Sequence, residues 1–168
     1  METVQTLDRF TSSLDRLEVA WTRTDEASLS DALERVMEPP VVGVPLPFDG
    51  VSLVDLGVTL DPTPKEIEAA RTGVTPVRMG LADYGSVVIE GGEDATEAVS
   101  LFSERHVAVL RLDDLVPDME AAFRQIGALL REAPRSLILA TGPSATADMG
   151  ALVKGAHGPK EVHVLILE

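Results

Sequence analysis

Apolar residues fall at Val4, Leu7, Phe10, Leu14 and Leu17, three or four apart with polar and charged residues between them. That spacing lines one side of a helix, so the chain is expected to open with an amphipathic helix. Residues 19–22 read as a short strand. A helix is expected over 25–38, with Leu29, Leu33, Val36 and Met37 on one face and Pro39-Pro40 closing it. Residues 41–44 form a buried-type strand. Thr63-Pro64-Lys65-Glu66 has the cap, first-turn proline and N3 glutamate of a capping box, so a helix should run to about Arg71 and stop near Gly73.

Five further stretches complete the pattern. Residues 87–90 and 107–110 are short β-branched apolar runs and predict strands. From Pro117, the positions Met119, Phe123, Ile126 and Leu130 share a helical face, and the helix should end at Glu132-Ala133-Pro134. Residues 136–140 and 162–167 are continuous apolar strands. Runs that are apolar throughout imply strands covered on both faces, and their alternation with helices predicts a three-layer α/β/α sandwich around a mostly parallel sheet. A chain of 168 residues suits one such domain over 1–168.

Charge changes the picture of the surroundings. The chain has 28 acidic and 14 basic residues, and Lys65, Lys154 and Lys160 are its only lysines. A formal charge of −14 repels phosphate backbones and anionic lipids, so neither nucleic acid nor a membrane surface is an expected partner. Such an excess repels itself unless salt screens it, which points to a halophilic source. No apolar run is long enough to span a bilayer, and the first ten residues carry Glu2 and Asp8 where a signal peptide is basic, so the cytoplasm is the expected compartment. With no cysteine, the chain has no thiol nucleophile and no cysteine-held zinc or iron–sulfur cluster of its own, and no cofactor is expected on it.

Chemistry concentrates in Thr141-Gly142-Pro143-Ser144-Ala145-Thr146-Ala147-Asp148, which follows a strand directly and is expected to open a helix. Ligands of open α/β sheets bind beyond the carboxyl ends of strands, Gly142 would let backbone approach a ligand, and free N–H groups at Ser144 to Thr146 would receive an anion. The same residues also make a capped turn with no ligand. Of the three histidines, His106 opens a strand and His163 lies within one, which are structural positions. His157, between Gly155 and Gly158, is placed to contact a ligand or move a proton. Asp83 and Asp148 could act as acid and base if their loops met; otherwise Asp148 serves the first turn of its helix. No ligand spacing for a metal is present.

The stretch Thr141 to Asp148, followed by Gly155-Ala156-His157-Gly158-Pro159-Lys160-Glu161-Val162-His163 and a terminal apolar strand, resembles the C-terminal signature of the lactate-utilization (LUD) domain family. Asp83-Tyr84-Gly85-Ser86 is similar to that family's Thr-Gly-Thr stretch, and Arg105-His106-Val107 to its His-containing strand start. The resemblance covers about 74–168. Ala145 and Gly150 depart from the family, which commonly has a basic and an acidic residue there.

The resemblance implies a fold like that of the glucosamine-phosphate isomerase, ribose-phosphate isomerase and CoA-transferase superfamily. It also implies a ligand-binding or accessory subunit of lactate or organic-acid utilization beside iron–sulfur oxidoreductase subunits. A small anionic metabolite would lie among Gly85, Ser86, Thr141, Gly142, Ser144, Thr146, His157 and Gly158, with Asp148, His157 and Asp83 as the acid/base candidates. The alternative is a stand-alone enzyme acting on a phosphorylated sugar, a folate or an acyl-CoA. Oligomeric state stays open, a homo-oligomer included.

Overall fold

A computed structural model describes residues 2–92, 94–133, 135–148 and 150–168. In chain order the elements are α1 (Glu2–Arg16), β1 (Ala20–Thr24), α2 (Leu29–Val36), β2 (Val41–Gly43), β3 (Val58–Leu60), α3 (Pro64–Ala69), β4 (Thr72–Pro76), β5 (Met79–Leu81) and β6 (Ser86–Gly91). They continue with α4 (Thr96–Phe102), β7 (Arg105–Arg111), β8 (Leu115–Val116), α5 (Met119–Glu132), β9 (Ser136–Thr141), β10 (Ala145–Thr146), β11 (Val153–Lys154) and β12 (Glu161–Leu167). Among the described residues no helix is long and apolar enough to cross a membrane.

The central sheet has six strands in the order β1-β12-β7-β4-β2-β3, and every neighbouring pair is parallel. Side chains alternate across it. Val107, Val109, Leu165 and Leu167 face Leu29 and Leu33 of α2, while Ala108, Leu110, Val164 and Ile166 face Leu7, Phe10 and Leu14 of α1. Helices therefore cover both faces of a parallel sheet, the α/β architecture that the unbroken apolar runs predict.

The strands over 86–91 and 136–141 are not part of that sheet. They belong to a second, four-stranded sheet ordered β8-β5-β6-β9, in which β6 and β9 are antiparallel with Ser86 opposite Thr141. Its inner face, with Val87 and Ile89, joins the core under α1, and its outer face, with Met79, Leu81 and Val88, is covered by α5. An apolar run records that both faces are covered, not by which sheet or helix, so these two strands read like members of the central sheet.

Local corrections have local causes. Asp25 caps only a short 3-10 turn, accepting the Ser28 amide at 2.8 Å, so α2 starts later than the apolar spacing suggests. The capping box at α3 is present, with the Thr63 amide donating to Glu66 at 2.7 Å. The helix nevertheless stops at Ala69, and Gly73 lies inside β4. A Cβ at Gly73 would stand 2.5 Å from the Val99 carbonyl oxygen and 2.3 Å from Ser103 Oγ, so this glycine is what lets α4 lie against the strand. On α5 the buried residues are Ala122, Ile126 and Leu129, whereas Phe123 and Leu130 are exposed. Pro134, expected to end that helix, lies outside the described residues.

Candidate functional site

The segment after β9 does not open a helix. Gly142 turns the chain at φ 70°, and Ala145–Thr146 then pairs antiparallel with Val153–Lys154 as a small hairpin. Asp148 consequently lies on an exposed turn, not in a helical first turn. The Ser144 amide donates to the Pro159 carbonyl at 2.8 Å, and the Ser144 carbonyl accepts from the Gly155 amide at 2.9 Å. Ser144 Oγ accepts the His157 amide at 3.3 Å. Ser144 thus ties the 141–144 turn to the loop before β12, and its amide is engaged in that tie.

The joined loops rim a cavity of about 300 Å3 between the two sheets. Gly85, Thr141, Gly142, Ser144, His157 and Gly158 all line it. Ser86 stands just behind, its hydroxyl 2.6 Å from that of Thr141 across the β6–β9 pair. Deeper in, Val87, Ile89, Ile138, Ala140 and Val164 make an apolar floor. Thr146, Asp148 and Asp83 are not part of the lining. Asp83 is held by Arg9 at 2.7 Å, and no hydrogen bond or ion pair among the described residues joins it to Asp148.

His106 lines the same cavity. It is 2% exposed, its Nε2 lies 2.8 Å from Thr75 Oγ1, and burial lowers its pKa to about 4. At neutral pH it is an uncharged imidazole that can donate or accept one further hydrogen bond, and it cannot serve there as a fixed positive charge. His163 points to the other face of β12, bonded to Thr22 Oγ1 at 2.9 Å, and its pKa is lowered by desolvation and then by Arg105.

The cavity opens where β7 and β12 begin, at the amino ends of the central strands. The general rule for open sheets looks to the carboxyl ends. It misleads when applied to Thr141, because β9 belongs to the second sheet and runs antiparallel to β6. At the carboxyl ends of β2, β4 and β7 lies a separate cleft lined by Phe48, Arg78, Glu90 and Arg111, none of which the sequence patterns single out. The available signal was that Arg111 ends one strand and Arg78 closely follows another. Among the described residues no group of three or more His, Asp or Glu is arranged to hold a metal ion.

The family model for the LUD domain matches residues 61–167. A lactate utilization protein C of Deinococcus radiodurans is 28% identical over 160 residues, covering 88% of this chain and 73% of that protein. The protein of the same name from Macrococcus caseolyticus is 26% identical over 164 residues, covering 88% and 70%. That of Bacillus subtilis is 35% identical over 107 residues, or 61% of this chain and 45% of the relative, so the chain matches less than half the length of that protein. A crystal structure of a DUF162 family protein from Deinococcus radiodurans superposes with a TM-score of 0.79 at 20% identity, covering 100% of this chain and 99% of the other, and carries the same fold. The matched region runs from just before the α3 cap through both cavity loops to the last strand, and the chain belongs to the LUD domain family.

Proposed function

We propose that residues 1–168 act as one LUD domain in lactate or related organic-acid utilization, as a ligand-binding or accessory subunit working with an iron–sulfur oxidoreductase. The observation that carries the reading is the junction at Ser144, which gathers Thr141, Gly142, His157 and Gly158 around a cavity with an apolar floor. A short hydroxy acid matches that division. Its carbon chain would lie on Ile138 and Ala140, and its hydroxyl and carboxylate would meet the hydroxyls of Thr141 and Ser144 and the imidazole of His157. Neutral His106 would supply orientation from below. The absence of cysteine from the sequence fits a division of labour in which iron–sulfur chemistry belongs to the partner. The names of the relatives support the pathway, and the charge balance supports a salt-rich cytoplasm as the setting.

Thermal unfolding at high salt tests this, using lactate, glycolate, sugar phosphates, nucleotides, folates and CoA thioesters. A ligand at about a hundred times its Kd stabilises by about 2.7 kcal/mol, a rise of roughly 5–10 °C for a domain of this size. A rise with a hydroxy acid that disappears in Thr141→Val and His157→Ala is the expected result. Turnover of a sugar phosphate, folate or CoA thioester by the isolated protein would replace this reading with the stand-alone enzyme. No shift with any acid, together with no co-purifying iron–sulfur subunit, would remove both parts of the proposal.

A further inference from the structure

Whereas the cavity at the other end has hydroxyls and histidines over an apolar floor, the cleft at the carboxyl ends of β2, β4 and β7 has a volume of about 470 Å3 and carries charged side chains in its walls. Its walls carry Arg78 and Arg111 together with Glu90, Asp94 and Asp114. Two of the carboxylates have partners. Glu90 is held by Arg135 and lies 3.8 Å from Arg78 Nε, and Asp94 accepts the Thr96 amide at 3.1 Å. Arg111 has no ion pair among the described residues. Its guanidinium instead sits 5.6 Å from the centre of the Phe48 ring. A cation–π contact of this kind engages the charge without using up the N–H donors, which leaves the guanidinium able to make a two-pronged contact with an oxyanion.

Asp114 lines the same cleft: burial raises its pKa, and Arg78 and Arg111 oppose that rise without coming within ion-pair distance of it. Apart from the loose Arg78–Glu90 pair, the positive and negative groups therefore face a common space without closing on one another. An anion alone would satisfy Arg78 and Arg111 but would leave Asp94 and Asp114 turned toward it. A ligand that pairs an oxyanion with hydrogen-bond donors satisfies both sets. The volume also exceeds what a three-carbon acid fills, and a doubly charged head matches two guanidinium groups.

We propose that this cleft is a binding site for a small organic phosphate whose body carries hydroxyl or ammonium donors, the phosphate held by the forks of Arg111 and Arg78 and the donors received by Asp94 and Asp114. It is separate from the cavity rimmed by Thr141 and His157, and neither site depends on the other being occupied.

Isothermal titration of the folded protein, in the salt buffer that keeps it native, reads the claim directly. Glycerol 3-phosphate and O-phosphoserine are the probes, with inorganic phosphate and glycerol beside them, and circular dichroism checks each variant's fold. At least one organic phosphate should bind more tightly than inorganic phosphate. That affinity should fall about tenfold or more in Arg111→Gln and in Arg78→Gln, since hydrogen bonds to charged groups are worth that much. Arg111→Lys, which keeps the charge but loses the fork, should bind more weakly than the native protein and more tightly than Arg111→Gln. Lack of saturable binding by both organic phosphates, equal affinity for inorganic phosphate, or full affinity in both glutamine variants would overturn the site. So would an equal loss in Thr141→Val, which would put the binding at the other cavity.

Discussion

His106 shows how one side chain can be structural and still face a cavity. It is the second residue of β7, shares a hydrogen bond with Thr75, and lines the space under Thr141 and His157. From sequence, a histidine at the start of a strand reads as packing, because nothing local reveals which space its face looks into. Its protonation gives a measurable consequence. The ordinary value of 6.5 falls to about 4 in the fold because burial disfavours the cation. For a base whose pKa is lowered by folding, the unfolded chain binds more protons between those two values. The stabilising contribution is therefore fully present above pH 6.5 and is lost as pH falls toward 4, with a size on the order of 3 kcal/mol.

His163, whose pKa is also lowered, acts in the same direction. Glu38, with its pKa lowered first by the hydrogen bond from Arg71, and Glu104, first by that from Lys160, work further down the scale. Their contribution is present above the unfolded carboxylate value and is lost as pH falls through their own lower values. Urea midpoints measured from pH 8 to pH 5 should consequently decline in the native protein and decline much less in His106→Gln, whose amide can still bond Thr75. Parallel curves for the two proteins would show that His106 is not the group responsible.

At the scale of elements, the longer apolar segments were legible, whereas α4, β3, β4 and the β10–β11 hairpin were not read, and what covers each segment was less legible still. The stripe Met119, Phe123, Ile126 and Leu130 fits helical spacing, yet α5 buries Ala122, Ile126 and Leu129. Two overlapping faces share Ile126, and the larger side chains mark the wrong one. The small Ala122 carries little hydrophobic weight in a pattern, but its size lets the helix approach the sheet closely. Ile126→Ala should cost about 2–5 kcal/mol, as deletions of buried aliphatic groups do, whereas Phe123→Ser, at a position 55% exposed, should stay within about 0.5 kcal/mol. Chemical denaturation of the two variants distinguishes the faces, and the reverse ranking would mean that Phe123 is covered in solution. Strands as short as β5 and β8 leave too few residues for a period to show, which is why the second sheet could not be read in advance.

For the molecule as a whole, the meeting of the 141–144 and 155–160 stretches was visible in the motif, because glycines, hydroxyls and a histidine cluster there. The end of the sheet at which they meet was not, since it depends on a strand belonging to a different sheet. The charge balance was legible in full, and its consequence follows from competition between two effects of salt. At the amino end of the central sheet, Arg71 bridges Glu38 and Glu104, Lys160 also holds Glu104, and Arg105 bonds Glu38 and Glu161. Salt weakens these contacts, but they are exposed, and such pairs are worth about 0–1 kcal/mol each.

Against them stands a net charge of −14. Two like charges about 10 Å apart repel by roughly 0.4 kcal/mol in water, and each unbalanced carboxylate has several such neighbours on a domain of this size. Screening shortens from about 10 Å at 0.1 M salt to about 3 Å at 1 M, so it removes most of that repulsion. Relief of repulsion should win, and Tm should rise steadily between about 0.05 and 1 M potassium chloride. Arg71→Gln separates the two effects: it breaks the bridge and adds one more unbalanced charge, so it should lower Tm more at 0.05 M than at 1 M. A native Tm that is flat or falls with salt would mean that the ion pairs outweigh the net charge, and the salt-adapted reading of this chain would then be wrong.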